Sequence, residues 1–92
     1  MIDFAIVKQS GLRQKGELEK LFGVSRAMIY NYASGKHTPK GRHAPRIQTA
    51  MRVITNLVER GKLPFPEDKD PEARAAAIDK IDAHVQAFIA SN

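Results

Sequence analysis

Residues 15–36 read KGELEKLFGVSRAMIYNYASGK, and this stretch decides the fold. Gly23 divides it into two short segments, and a glycine can end a helix in the left-handed conformation without the steric penalty of a Cβ. Ser25 follows as a helix N-cap, because its hydroxyl can accept a hydrogen bond from a backbone N–H of the next turn. The sequence therefore predicts two helices joined by a glycine turn, the second running from Arg26 to about Ala33.

The apolar residues of this stretch are spaced so that the helices and the turn point toward one small core. We expect these inward residues to be Leu18, Phe22, Val24, Ile29 and Tyr32. The second helix keeps a polar outward face that is available to a partner. That face consists of Arg26, Ala27, Tyr30 and Asn31.

Three further helices are predicted, which gives about five in an all-α fold. Residues 2–10 have an apolar pattern that fits a helix or a strand; we favour a helix because Gly11 can stop it, and an extended segment stays open. Residues 35–45 form a loop, since they are rich in glycine, proline and basic side chains.

The other two helices follow this loop. Residues 45–60 carry apolar side chains at three- and four-residue spacing, with Gly61 just beyond the end. Residues 72–90 form the last helix, with Asp70 able to cap it and Pro71 able to occupy its first position. We expect this C-terminal helix to serve packing or dimerisation.

Charge divides the chain of 92 residues at about residue 62. Residues 1–62 hold six lysines and six arginines against four carboxylates, a net charge of +8, whereas residues 63–92 hold three basic and six acidic residues, a net charge of −3. We predict one folding unit, in which residues 1–62 form the basic domain and residues 63–92 form a linker and the last helix. A basic domain of this kind favours a polyanionic partner.

Several classes of function are not expected from the composition. The chain has no cysteine, so a disulfide framework and a zinc finger are excluded. The three histidines, His37, His43 and His84, are too scattered for a metal site, and no catalytic arrangement is evident. We expect no enzyme activity, no metal and no cofactor. The longest apolar runs are too short for a membrane span, so a soluble, cytoplasmic protein is expected.

The residues around the glycine turn match a known pattern. They are Leu18, Gly23, Val24, Ser25, Ile29 and the closing Ser34-Gly35-Lys36. With them, the chain resembles the helix-turn-helix domains of the phage Cro and CI (XRE-like) repressor family over roughly residues 2–60. The resemblance implies a lambda-repressor-like fold whose second helix of the pair lies in the major groove of DNA, usually in a dimer on a two-fold operator.

The resemblance also implies which residues contact DNA. By position, base edges face Arg26, Ala27, Met28, Tyr30 and Asn31. Arginine can donate two hydrogen bonds to guanine, asparagine can pair with adenine, and an apolar side chain can contact a thymine methyl group. Phosphate contacts, which position a protein without reading sequence, are implied for Lys15, Ser25, Lys36, Lys40, Arg42 and Arg46.

One residue departs from the pattern of this family. Glu19 stands where family members carry a small residue, because the two helices approach closely there. We expect its carboxylate to turn outward or to pair with Lys15 or Arg26.

The last helix carries an apolar stripe that can pack on its own domain or form a seam across a two-fold axis. The stripe consists of Ile78, Ile81, Val85 and Phe88. We expect some of both, with the stripe in a homodimer interface. The resulting hypothesis is a Cro-like transcriptional repressor of phage, prophage or mobile-element origin that binds an inverted repeat in double-stranded DNA, without a small-molecule ligand.

Two alternatives stay open. The chain can instead be an antitoxin or assembly partner whose main surface binds another protein through the last helix. It can also regulate a neighbouring operon, such as one that encodes anti-CRISPR proteins, and contact messenger RNA through the same basic surface.

Overall fold

The computed structural model describes residues 2–12 and 16–91, which form an all-α fold of five helices. The helices are α1 (Phe4–Ser10), α2 (Glu17–Phe22), α3 (Arg26–Ala33), α4 (His43–Glu59) and α5 (Pro71–Ala90). No strand occurs in these described ranges, so the first segment is a helix, as favoured from its sequence. Asp3 caps this helix by accepting hydrogen bonds from the N–H groups of Ala5 and Ile6.

The glycine turn joins α2 to α3 in a helix-turn-helix, as predicted. Gly23 has a φ of 71°, and its N–H donates to the Glu19 carbonyl at 2.8 Å. The Ser25 hydroxyl accepts a hydrogen bond from the Met28 N–H at 3.3 Å and so caps α3. Glycine is favoured at position 23 by the positive φ of the turn, and a Cβ there would also lie 2.6 Å from Nε of Arg46 and displace that side chain.

One core joins the helices. Its buried apolar residues are Ile2, Val7, Leu12, Leu21, Phe22, Ile29, Tyr32, Ile47, Ala50, Met51, Ile54, Leu63, Ile78 and Val85. Helix α4 contacts α1, α2 and α5, and α5 also packs against α2. Among the residues predicted to point inward, Leu18 and Val24 are only half-buried, and both pack against this core.

Helix α4 begins earlier than predicted. It starts at His43 rather than Pro45, so the connection from α3 covers residues 34–42. Pro45 fits inside the first turn because the N–H groups there have no helical partner to lose. Helix α5 begins as expected, with Asp70 accepting from the Ala73 N–H at 2.8 Å and Pro71 in first position. None of the described helices has both the length and the apolar character needed to cross a membrane.

The stripe on α5 faces the interior of its own chain. Ile78 is 2% exposed and Val85 is 0% exposed, and Ile81 is half-buried against the core. The prediction that these residues form a dimer interface is wrong for Ile78 and Val85, because side chains buried within one chain are not available to a second copy. Phe88, which is 40% exposed, lies at the surface.

Candidate nucleic-acid interface

Three of the four residues predicted to face outward on α3 are exposed, because the opposite side of the helix is anchored in the core; they are Arg26, Ala27 and Tyr30. Ile29 and Tyr32 are buried, so the helical period directs Arg26 and Ala27 to the surface. Arg26 takes part in no salt bridge within the described residues. Asn31 is half-buried, and its Nδ2 lies 4.0 Å from the sulfur of Met28. An unpaired guanidinium on a rigidly held helix can contact an external ligand.

Two of the five predicted base-reading residues also have a structural role. Met28 is half-buried and packs against the core, so it is less accessible than expected. Tyr30 is 50% exposed, and its ring packs edge-on against Phe4 of α1, with the ring centroids 5.4 Å apart and an interplanar angle of 86°. Helix α1 therefore supports the exposed side of α3.

Glu19 lies on a groove of about 510 Å³ between α1, α2 and α3. It is half-buried, and Arg26 lines the same groove, yet no salt bridge joins the two residues. The alternative partner Lys15 lies outside the described residues, and so does its predicted phosphate contact.

The segment that connects α3 to α4 presents several cations to solvent. Lys36, Lys40 and Arg42 are all exposed, and no salt bridge in the described residues involves them. Ser25 is exposed at the start of α3; its oxygen caps the helix, while its O–H can still donate. The first turn of α3 and this segment thus offer hydrogen-bond donors suited to phosphate groups.

Arg46 does not belong to this set, and its predicted phosphate contact requires correction. It lies on α4, and its Nη2 donates to Asp82 Oδ1 and to the Lys20 carbonyl, each at 2.7 Å. Its Nε donates to the Leu21 carbonyl at 3.3 Å. These carbonyls lie in the last turn of α2, where helical partners are missing. Arg46 therefore caps α2 and connects it to α5.

Arg46–Asp82 is one of three salt bridges that, within the described residues, attach α5 to α2 and α4. We call them the α5 ion pairs. The second joins Arg74 to Glu17 through two hydrogen bonds of 2.8 and 3.0 Å, with both side chains largely buried. The third joins Lys20 to Asp79 at the surface. The hydrogen bond to Asp79 raises the pKa of Lys20 above 10.5.

The α5 ion pairs were not predicted from the sequence. Glu17 and Arg74 are 57 residues apart, and no local pattern connects them. The only indication in the sequence was the opposite net charge of residues 1–62 and residues 63–92. This difference predicts that the two parts attract each other, but it does not predict which side chains pair.

The exposed face of α3 and the connecting segment are consecutive in the chain and lie on one helix-turn-helix unit. Such an arrangement can present a guanidinium and an amide to base edges and ammonium groups to phosphates. Comparison of the chain with models of protein families, with curated proteins and with solved structures yields no match.

Proposed function

We propose that this protein is a sequence-specific DNA-binding transcriptional regulator that acts in the cytoplasm and places α3 in the major groove. The observation that carries the proposal is the exposed, unpaired Arg26 on a helix whose opposite side is buried through Ile29 and Tyr32. Such a helix keeps its reading side chains in place before DNA arrives, which lowers the entropy lost on binding. One bidentate contact between arginine and guanine contributes about 1–3 kcal/mol of discrimination.

The connecting segment supports the same proposal. Lys36, Lys40 and Arg42 are exposed directly after α3, where phosphates on either side of the groove would lie if α3 entered it. Contacts of this kind release counterions, so binding should weaken steeply with added salt.

We further propose a homodimer that represses transcription by occupying an inverted repeat. A single reading helix recognises half of a two-fold operator, and half-sites would then lie roughly 34 Å apart. Phe88 is the candidate interface residue, since it is the exposed member of the α5 stripe. It lines a groove between α4 and α5 with the half-buried Val53 and Leu57.

The test is selection of bound sites from a random duplex library. We expect the wild-type chain to enrich an inverted repeat, and the variant Arg26→Ala with Asn31→Ala to lose that enrichment. Lys80→Ala is the matched control, because Lys80 is exposed on α5 and is not among the residues that line the groove at Phe88. It removes one positive charge without touching α3.

Each result has a distinct meaning. Enrichment of a single half-site would support the reading helix and contradict the dimer. Absence of enrichment, with only salt-sensitive background binding, would contradict sequence-specific recognition. For Arg26→Ala alone we expect a loss of about 1–3 kcal/mol on the selected site, whereas Lys40→Ala should weaken binding to all sequences alike. An equal loss on selected and random DNA would exclude Arg26 as a base reader.

A further inference from the structure

An open groove of about 500 Å³ lies between α3, the connecting segment and the first residue of α4. Two lysines, Lys36 and Lys40, and two histidines, His37 and His43, are among the residues that line it. Thr38 also lines it. No carboxylate is among the described residues that line this groove. The wall therefore combines fixed positive charge with groups that can become positive.

Backbone hydrogen bonds hold both histidines in place. The His37 N–H donates to the Asn31 carbonyl at 3.2 Å, which fixes the segment against the end of α3. The His43 N–H donates to the Lys40 carbonyl at 3.2 Å, at the point where α4 begins. Both histidines are thus held at defined backbone positions, one bonded to the end of α3 and one at the start of α4.

The remaining charged and titratable groups around the two imidazoles are cationic or neutral. Tyr32 lines the same groove from α3. On its other side, His43 also lines a groove with Arg42 and Arg46 of the connecting segment and α4. A negative charge that would favour imidazolium is absent from both sets of lining residues. It has to come from a bound anion.

Phosphate chemistry fits this wall. An ordinary imidazole has a pKa of about 6.5, so it changes charge close to neutral pH. An imidazolium donates from both ring nitrogens, and a nearby anion favours that charged form. Two ammonium groups and a hydroxyl complete a set of donors for the oxygens of one phosphate group.

We propose that His37 and His43, together with Lys36 and Lys40, form a phosphate site whose occupation takes up protons, so that DNA is bound more tightly as pH falls. We take the DNA backbone as the source of the phosphate, and this assignment rests on the proposed function. Free inorganic phosphate has the same chemistry and is the competing source.

The test compares affinities for one duplex at pH 8 and pH 6 and constant ionic strength. We expect the wild-type affinity to rise at least about tenfold, because up to two protons are linked to binding. The double variant His37→Gln, His43→Gln should change less than about twofold, and at pH 8, where imidazoles are neutral, it should match the wild type. His84→Gln is the control for the pH dependence alone and should keep that of the wild type. Because His84 is exposed on α5 and lines the groove at Phe88, the candidate dimer interface, each affinity of this variant is compared only with its own value at the other pH.

The proposal is overturned if the double variant keeps the pH dependence of the wild type. The measurement uses both a selected duplex and a random one, which separates the two hypotheses. A pH effect of equal size on both duplexes, without sequence preference, would retain the phosphate site and contradict the proposed function. A preference for the selected duplex, with the same pH dependence in the wild type and the double variant, would support the proposed function and contradict the phosphate site.

A second measurement distinguishes the two sources of phosphate. The imidazole proton resonances of His37 and His43 are followed while inorganic phosphate is added at pH 6, with His84 as internal reference. Shifts confined to the resonances of His37 and His43, together with the loss of pH-dependent DNA affinity in the double variant, support a site for a backbone phosphate. The same shifts, with no effect of the double variant on DNA affinity, would assign the site to free phosphate and overturn its role in DNA binding.

Discussion

The exposed side of α3 and the contact of α5 with α2 and α4 use the same kinds of side chain in opposite ways. Arg26 and Lys40 lie at the surface and take part in none of the salt bridges among the described residues. Arg46 and Arg74 are directed inward, where each meets a carboxylate within 3 Å. The first surface can bind an external anion, whereas the second has already bound the anions of its own chain.

This difference changes how the charge of the chain is understood. Along the sequence, the basic and acidic parts are separate. In the fold, Asp79 and Asp82 of α5 neutralise cations on α2 and α4. The cations of α3 and the connecting segment are among those that form no salt bridge within the described residues. The acidic helix helps to define where an anionic ligand can bind.

The largest expected effect comes from breaking the buried member of the α5 ion pairs. Glu17→Ala leaves the Arg74 guanidinium largely buried without its carboxylate, and we expect a loss of about 3 kcal/mol in the free energy of unfolding. Urea denaturation measures this. Glu59→Ala, at the exposed end of α4, is the control and should change stability by less than about 0.5 kcal/mol.

A double variant sharpens this prediction. Glu17→Met with Arg74→Met should recover most of the lost stability, because two apolar side chains of similar length leave no buried charge. If the double variant is as unstable as Glu17→Ala, the loss comes from packing rather than from the unpaired guanidinium.

The next largest effect is expected from a comparison of Arg46, which is paired with Asp82, and Arg42, which is exposed. Arg46→Ala removes hydrogen bonds to two carbonyls of α2 and leaves Asp82, whose side chain is 13% exposed, without its cation. We expect a loss of about 2 kcal/mol in the free energy of unfolding. Arg42→Ala should leave stability within about 0.5 kcal/mol and instead lower the salt dependence of DNA binding by about one phosphate contact.

Denaturation and DNA titration of both variants test this contrast. Unchanged stability of Arg46→Ala together with weaker DNA binding would restore Arg46 as a phosphate contact, as its sequence position suggested.

The smallest effect concerns the exposed pair of Lys20 and Asp79. Because its pKa is raised in the folded chain, Lys20 stabilises the fold fully below pH 10.5, and this contribution is lost as the pH rises through the higher value in the folded state. The midpoint of urea denaturation should therefore differ slightly between wild type and Lys20→Met at neutral pH, and the difference should vanish in strong alkali. Lys80→Met, at an exposed position on α5, should show no such change with pH.

Much of the helix-turn-helix was predictable because its determinants are local. Gly23 and Ser25 act on backbone groups within four residues, and the periodic pattern of α3 decides which of its sides is buried. Asp70 and Pro71 start α5 for the same reason. The outward position of Arg26 and Ala27 on α3 could accordingly be predicted from the sequence.

The assignments that failed were those in which a residue had two possible environments. Arg46 was equally suited to a phosphate and to Asp82, and only the position of α5 places that carboxylate within 2.7 Å of it. Ile78 and Val85 were suited to a core or to a dimer seam, and the contact of α5 with α2 and α4 buries them in one chain. Side-chain type alone does not distinguish such alternatives.

The sequence by itself thus determined the helix-turn-helix, the caps of α3 and α5 and the outward position of Arg26 and Ala27, because capping and helical period depend on neighbours a few residues away. Only the tertiary structure decided which cations are neutralised and which remain exposed, because an ion pair such as Glu17–Arg74 joins residues 57 positions apart. The surface available to a polyanion is what remains after those long-range pairs have formed.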